Sequence, residues 1–287
     1  MKNKKDFIKL FNINIPHTEH FDYYLEQLSK TDKFKDIKYF LELFEEADKD
    51  IDDFFTYKLD KVKEIVDFIK STNTYTELTL DKSLNDYPIN KSIHYDVDKI
   101  YLSVDLKSAN WQSLKFYDQQ NELGDSYQEF LSKFDAPKVF VHSKYLRQFI
   151  FGNVNPKRQQ KVQRNIIQKE IIRKFDDEFV IEGVKNDEVI FLLNDFKDSK
   201  KILDSIDKER FNCKIFKVDR VEDFRIFNYF DSDGNFLRKE MVGCSGHQFY
   251  WKYKQYITGE KIDIRDLYFK SEGKIGIWLH DDLKVEI

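Results

Sequence analysis

Cysteine is nearly missing from this chain. Cys213 and Cys244 are the only two, too few for a disulfide framework, so a reducing compartment is the default expectation. No apolar run approaches the roughly 20 residues that a membrane span needs. The opening stretch MKNKKDFIKLFNINIPH is basic but has no apolar segment of signal-peptide length. No Gly-rich loop is present to cradle a phosphate, and there is neither an internal repeat nor a low-complexity segment. DSDG is not a calcium loop, because the bidentate Glu at its far end is missing. CSGH puts Cys244 and His247 at metal-compatible spacing without the further thiols of a structural zinc site. His17 and His20 in HTEH read as surface residues. A net charge of -4 excludes a uniformly basic nucleic-acid binder and leaves only a local basic groove. These absences predict a soluble cytoplasmic protein with no membrane partner.

What remains is ample for a core. The 287 residues are 41% hydrophobic with Phe 27, which excludes a disordered chain, and 35% charged, which implies a heavily solvated surface. The abundance of Lys, Asn, Ile, Phe and Asp is that of an AT-rich genome.

Residues 18 to about 72 read as helices. IDDFFTYKLDKVKEIVDFIKST places Leu59, Val62, Ile65, Val66 and Ile69 at helical spacing, and FKDIKYFLELFEEAD repeats the pattern. Residues 73 to 98, rich in polar residues and holding Pro88, read as a connection. A boundary near residue 95 would separate a helical region (1–95) from an α+β domain (96–287). After it come a strand (KIYLSVD), a helix (LKSANWQSLKFYDQQ), a strand (APKVFVHS) and a helical stretch to residue 175, broken near Gly152 to Pro156. A hairpin at 178–193, a helix (DSKKILDSIDKERF) and a strand (CKIFKVD) follow. This order predicts α+β, a palm-like antiparallel sheet with helices on one face. EDFRIFNYFDSDGNFLRKEMVGC reads as a hairpin turning at Asp233-Gly234, and GKIGIWLHDDL as the last strand of a β-rich C-terminal extension. QFYWKYKQYITGEKI reads as an amphipathic helix packing Phe249, Tyr253 and Tyr256 on the core. Its interleaved aromatics and lysines would equally suit single-stranded nucleic acid.

Two acids carry the chemistry. Asp105 ends the strand YLSVD, and Asp187 opens the return strand after the turn Val184-Lys185-Asn186. If the two strands are neighbours, both carboxylates leave one sheet edge, a donor set for a hard cation such as Mg²⁺ or Mn²⁺. Each acid alone reads equally as a strand or turn residue. Between them, KYLRQFIFGNVNPKRQQ sets Lys144, Arg147, Lys157 and Arg158 around Phe151-Gly152. The cations could hold a triphosphate, Phe151 stack on a base and Gly152 admit a close partner. A solvated basic helix face would look the same.

In this order the motifs resemble the palm and finger motifs of template-dependent polymerases, nearest to family A DNA polymerases, over about a third of the chain. YLSVDLKSANWQSL is similar to the first palm motif, RQFIFG to the finger helix, VQRNIIQKEIIRKF to the helix before the last motif, and VKNDEVIFLL to the His-Asp-Glu hairpin. The resemblance implies that Asp105 and Asp187 bind two metal ions with help from the Leu106 carbonyl. Glu188 would be the second acid of the hairpin and would join the catalytic group. Lys144, Arg147 and Arg158 would contact the nucleoside triphosphate beside Phe151 and Gly152. Gln163 or Gln168 would face the primer–template minor groove. Arg147 stands where that family has Lys, Asn155-Pro156 where it has Tyr-Gly, and Asn186 where it has His. NDEVIFLL is also similar to the Gly-Gly-Asp-Glu-Phe hairpin of diguanylate cyclases, with Lys185 and Asn186 in place of its glycines. The expected function is two-metal nucleotidyl transfer to a nucleic-acid 3′-hydroxyl, with the N-terminal helices meeting a protein partner. A non-catalytic binder of nucleic acid or of a replication protein is the alternative.

Overall fold

The computed structural model describes residues 15–31, 51–90, 93–221, 223–271 and 274–278, without the side chains of 51–55 and 247. The helices before the sheet are α1 (Phe21–Ser29), α2 (Ile51–Ser71) and α3 (Asn73–Leu80). Strand β1 (Ile100–Leu106) leads into α4 (Ala109–Lys115), α5 (Tyr127–Ser132), α6 (Lys138–His142), α7 (Lys144–Gly152) and α8 (Pro156–Ile167). A π turn (Gln168–Ile172) joins α8 to α9 (Arg173–Phe175). Then come β2 (Val180–Val184), β3 (Glu188–Leu193), α10 (Asp198–Ser205), β4 (Phe211–Val221), β5 (Phe224–Phe230) and β6 (Phe236–Val242). The described chain finishes with α11 (Phe249–Tyr253), β7 (Tyr268–Ser271) and β8 (Lys274–Ile277).

The six-stranded antiparallel sheet has the order β2-β3-β1-β4-β5-β6, and β7 and β8 form a separate ribbon. The α+β class therefore holds. From β1 to β4 the chain runs strand, helices, hairpin, helix, strand. In space β3 lies between β1 and β2, and β1 between β3 and β4, which is the split βαβ arrangement. A strand in the middle of such a sheet is covered on both faces and reads as a nearly continuous apolar run. IYLSVDL is that strand, fully buried except at Asp105, which is half-buried.

Alternation puts Leu102, Val104 and Leu106 on one face of β1, and Tyr101, Ser103 and Asp105 on the other. The first face is closed: α9 lays Phe175 against Phe191 of β3, ring centroids 6.2 Å apart. Burying a ring such as Phe191 stabilises the fold by about 1.5–3 kcal/mol. The second face has two unlike ends. Tyr101, Ile190, Phe216, Val218 and Tyr229 form a buried cluster, and Ile93 and Tyr95 from the coil before β1 pack on it. That coil lies so close to β2 that a Cβ on Gly183 would meet Ile93 Cδ1 at 2.3 Å. The other end of the same face carries Asp105 and, in register opposite it, Glu188.

Helix α8 starts where Asn155 takes φ 48° ahead of Pro156. Asn tolerates that left-handed turn, and Pro is pre-set for the first helical position. The cations of α8 reach back to the end of α3 and to the coil after it. Arg158 Nε donates to the Leu78 carbonyl (2.8 Å), Lys161 pairs with Asp86 (3.1 Å) and Arg164 donates to the Tyr87 carbonyl (3.0 Å). The Asn165 side chain exchanges hydrogen bonds with the backbone of Asn85.

Two compact units are interleaved along the chain. One comprises Met1–Phe55, Arg220–Ile226 and Lys239–Ile287; the other comprises Thr56–Asp219 and Phe227–Arg238. In the first, α1 is tied to residues more than 200 positions away. Tyr23 donates to Asp266 Oδ1 (2.5 Å), Tyr24 donates to the Arg265 carbonyl (2.6 Å), and buried Lys254 pairs with buried Asp266 (2.9 Å).

Three local expectations need correcting. APKVFVHS is helical over Lys138–His142, with Pro137 as the extended N-cap and Val139 and Phe140 buried, so packing outweighs β-branched preference. The stretch read as a connection begins with α3, because Thr72 caps it by accepting from Tyr75 N and Leu78 is buried. In α11 the buried aromatics are Tyr250 and Trp251, while Phe249 and Tyr253 are half-buried. The expected C-terminal strand is present as β8, paired with β7 in a hairpin. FKDIKYFLELFEEAD lies outside the described residues. The remaining expected strands and helices from residue 99 on are present, and Gly234 turns the β5–β6 hairpin at φ 85°.

Candidate functional site

The β1–β3 pairing fixes Asp105 and the turn acids at one rim. Asp105 lies in register opposite Glu188 on β3 and Asn212 on β4. The next amide, Leu106 N–H, donates to the Asp187 carbonyl at 2.8 Å. The turn itself is closed by Lys185 N–H donating to the Glu188 carbonyl at 2.7 Å. Two acids far apart in sequence are therefore brought together by backbone hydrogen bonds alone.

Their side chains live differently. Glu188 is engaged on both oxygens: Ser103 Oγ donates to Oε1 at 2.5 Å, and Lys185 Nζ pairs with Oε2. Among the described residues no hydrogen bond engages the Asp105 carboxylate. Burial, with the charges of Asp187 and Glu188 beside it, pushes Asp105 up to about 7, while Lys214 and Lys144 pull the other way. Burial and Glu188 likewise raise Asp187, against its own backbone N–H, Lys185 and Lys144. Like charges partly withdrawn from water form a donor set that a hard cation would relieve. Among the described residues no three or more His, Cys, Asp or Glu side chains are grouped around a metal position. One or two carboxylates plus substrate phosphates suffice for Mg²⁺, so Asp105 and Asp187 fit such an ion.

Lys144, exposed at the first position of α7, acts on both raised acids, so the start of the cationic helix faces the acid rim. The other expected residues are placed otherwise. Arg147 is half-buried, and its charge falls on the buried Tyr127 hydroxyl, which has no hydrogen-bond partner among the described residues. Phe151 is 1% exposed and packs on Tyr127 (5.7 Å), so its ring offers no open face to a base. Gly152 is exposed at the end of α7, with open space around it. Arg158 holds the Leu78 carbonyl. Gln163 is buried and donates to Asn110 Oδ1 at 2.9 Å, and Gln168 is half-buried in the π turn. The structure thus gathers Asp105, Asp187, Glu188 and Lys144, and leaves Phe151 and Arg158 in structural positions.

Sequence reasoning missed Ser103, Lys185, Asn212 and Lys214. A period of two was there to be used: Tyr101, Ser103 and Asp105 alternate in β1, and Lys214, Phe216 and Val218 in β4. Only the register, Ser103 opposite Lys214 and Asp105 opposite Asn212, shows that the two series share a face.

Compared with known proteins, the chain matches no family model, no curated protein and no solved structure.

Proposed function

We propose that this chain is a metal-dependent nucleotidyltransferase of the polymerase palm type, moving a nucleotide from a nucleoside triphosphate to a nucleic-acid 3′-hydroxyl. The observation that carries the reading is the meeting of Asp105 and Asp187 at one rim of a split βαβ sheet, beside Lys144. Asp105 and Asp187 would hold Mg²⁺ or Mn²⁺, and Glu188, tied by Ser103 and Lys185, would fix the hairpin against β1. Such an ion, when bound, polarises phosphoryl oxygen and makes a hydroxyl a better nucleophile at neutral pH. Lys144 would neutralise the triphosphate as a point charge, and Arg147 would lie one helical turn along α7. Asp105 must lose its proton before it can serve as a ligand, so metal binding should strengthen as pH rises through about 7.

The test is primer extension and Mn²⁺ titration with Asp105→Asn and Asp187→Asn. Each substitution should cost on the order of 100-fold or more in incorporation and weaken Mn²⁺ binding. Undiminished incorporation by Asp187→Asn would refute the assignment.

A non-catalytic strand-binding or replication-protein-binding role has its own support. Phe151 is packed away, Asn155-Pro156 stands where the resembled family has Tyr-Gly, and both oxygens of Glu188 are engaged. Mn²⁺ binding that ignores both Asp105 and Asp187 would favour that role. Turnover of GTP without primer or template would point instead to the cyclase resemblance.

A further inference from the structure

Cations from two elements act on Asp105, Lys144 of α7 and Lys214 of β4. On the β4 side a row of donors leads away from Asp105 across the sheet. Asn212 stands in register opposite Asp105, and Lys214, two residues along β4, is opposite Ser103. Two strand residues span about 7 Å, and Lys214 is still close enough to act on Asp105. Its Nζ lies over the ring of Tyr229 at 5.9 Å, and the Arg238 guanidinium of β6 lies over that same ring at 4.5 Å. From β4 to β6 is two strand spacings, about 10 Å.

We propose that Asn212, Lys214 and Arg238 form the track for the acceptor strand, a single-stranded polyanion whose backbone phosphates lie along β4 to β6 with its end at the acids. This rests on the nucleotidyltransferase reading and assigns the second substrate to β4–β6. Spacing selects the class of ligand. One triphosphate would gather its cations around a single point, whereas donors strung out from the acids match a repeating charge. The contact is made to phosphate and not to bases. Tyr229 is 9% exposed, so its ring supports the two cations and has no face left for stacking. Lys214 and Arg238 are both exposed residues, as phosphate contacts need. Binding should accordingly be insensitive to sequence and sensitive to salt.

The experiment is fluorescence anisotropy with labelled single-stranded DNA and RNA of one sequence, without divalent metal, over a range of salt concentrations. The proteins are the full chain, the Lys214→Ala/Arg238→Ala double variant and the charge-preserving Lys214→Arg/Arg238→Lys variant. Removing both cations should weaken binding about 10-fold at low salt and flatten the salt dependence by about one to two counterions. The charge-preserving variant should retain most of the affinity. Nucleoside triphosphate binding, measured separately, should stay at the wild-type level in the double variant and fall in Lys144→Ala. Strand affinity and salt dependence unchanged in the double variant would overturn the proposal, as would loss of triphosphate binding in place of strand binding. Because neither readout requires turnover, strand binding that persists in an inactive protein would count against the catalytic reading and not against the track.

Discussion

Two groups of withdrawn charge, one in each compact unit, are built on opposite principles. Around Lys254, every charge has a partner. Lys254 pairs with Asp266 and donates to the Tyr23 hydroxyl at 2.9 Å, while Asp266 takes hydrogen bonds from Tyr23 and from Asp263 N–H. Arg265 grips Asp263 through two bonds of 2.8 Å and lies 3.9 Å from the Tyr23 ring. Asp263 is held down to about 2 by that grip. At the sheet rim the reverse holds: three acids crowd together, and Asp105 is forced up to about 7. Complete pairing serves to hold distant segments of chain in place. Incomplete pairing leaves electrostatic strain that a ligand can release, which is why perturbed acids mark candidate sites.

The comparison can be broken most severely by substituting Lys254→Met. Asp266 would then be a buried charge without its ammonium, at a cost of about 3–5 kcal/mol in urea unfolding; a loss below 1 kcal/mol would show that the pair is not a keystone. Asp105→Asn should act in the other direction. The folded-state pKa is raised, so the acid favours folding fully below its unfolded value of 3.8 and loses that contribution as pH rises through about 7. The Asn variant should therefore be more stable than wild type at pH 8, on the order of 2 kcal/mol after screening, and no more stable near pH 4. Equal stability at both pH values would remove the strain from the account. Ser103→Ala frees one oxygen of Glu188 and should cost about 1 kcal/mol, read from the same denaturation curves. Asp263→Asn should have the smallest effect, about 0.5–1 kcal/mol. A lowered pKa gives stability that is present above the unfolded value and fades as pH falls towards 2, so this loss should disappear in acid while the Asp105→Asn gain appears in base.

What could be read from the residues alone followed the reach of local rules. β1, the 178–193 hairpin, β4 and the β5–β6 turn are visible because short apolar, β-branched runs and a Gly at positive φ are short-range signals. The Lys138–His142 helix was hidden because Val-Phe-Val prefers strand until Val139 and Phe140 find a core. The pairing of Asp105 with the hairpin could be anticipated from strand adjacency. The fate of Phe151 could not, since nothing in FIFG distinguishes a ring awaiting a base from one packed on Tyr127. Lys214 escaped notice for a related reason. A lysine in CKIFKVD belongs to the acid rim only through a register that joins residues 103 and 214.

The grip of α8 on the coil after α3 carries a lesson about counting charge. Arg158, Lys161 and Arg164 are spaced along one helix as a reader of polyanions would space them, yet two carbonyl oxygens and the Asp86 carboxylate already accept from them. A rise in ionic strength would thus be felt there as a loosening of the Leu78–Tyr87 segment, and its amides should be the first in that region to exchange with solvent.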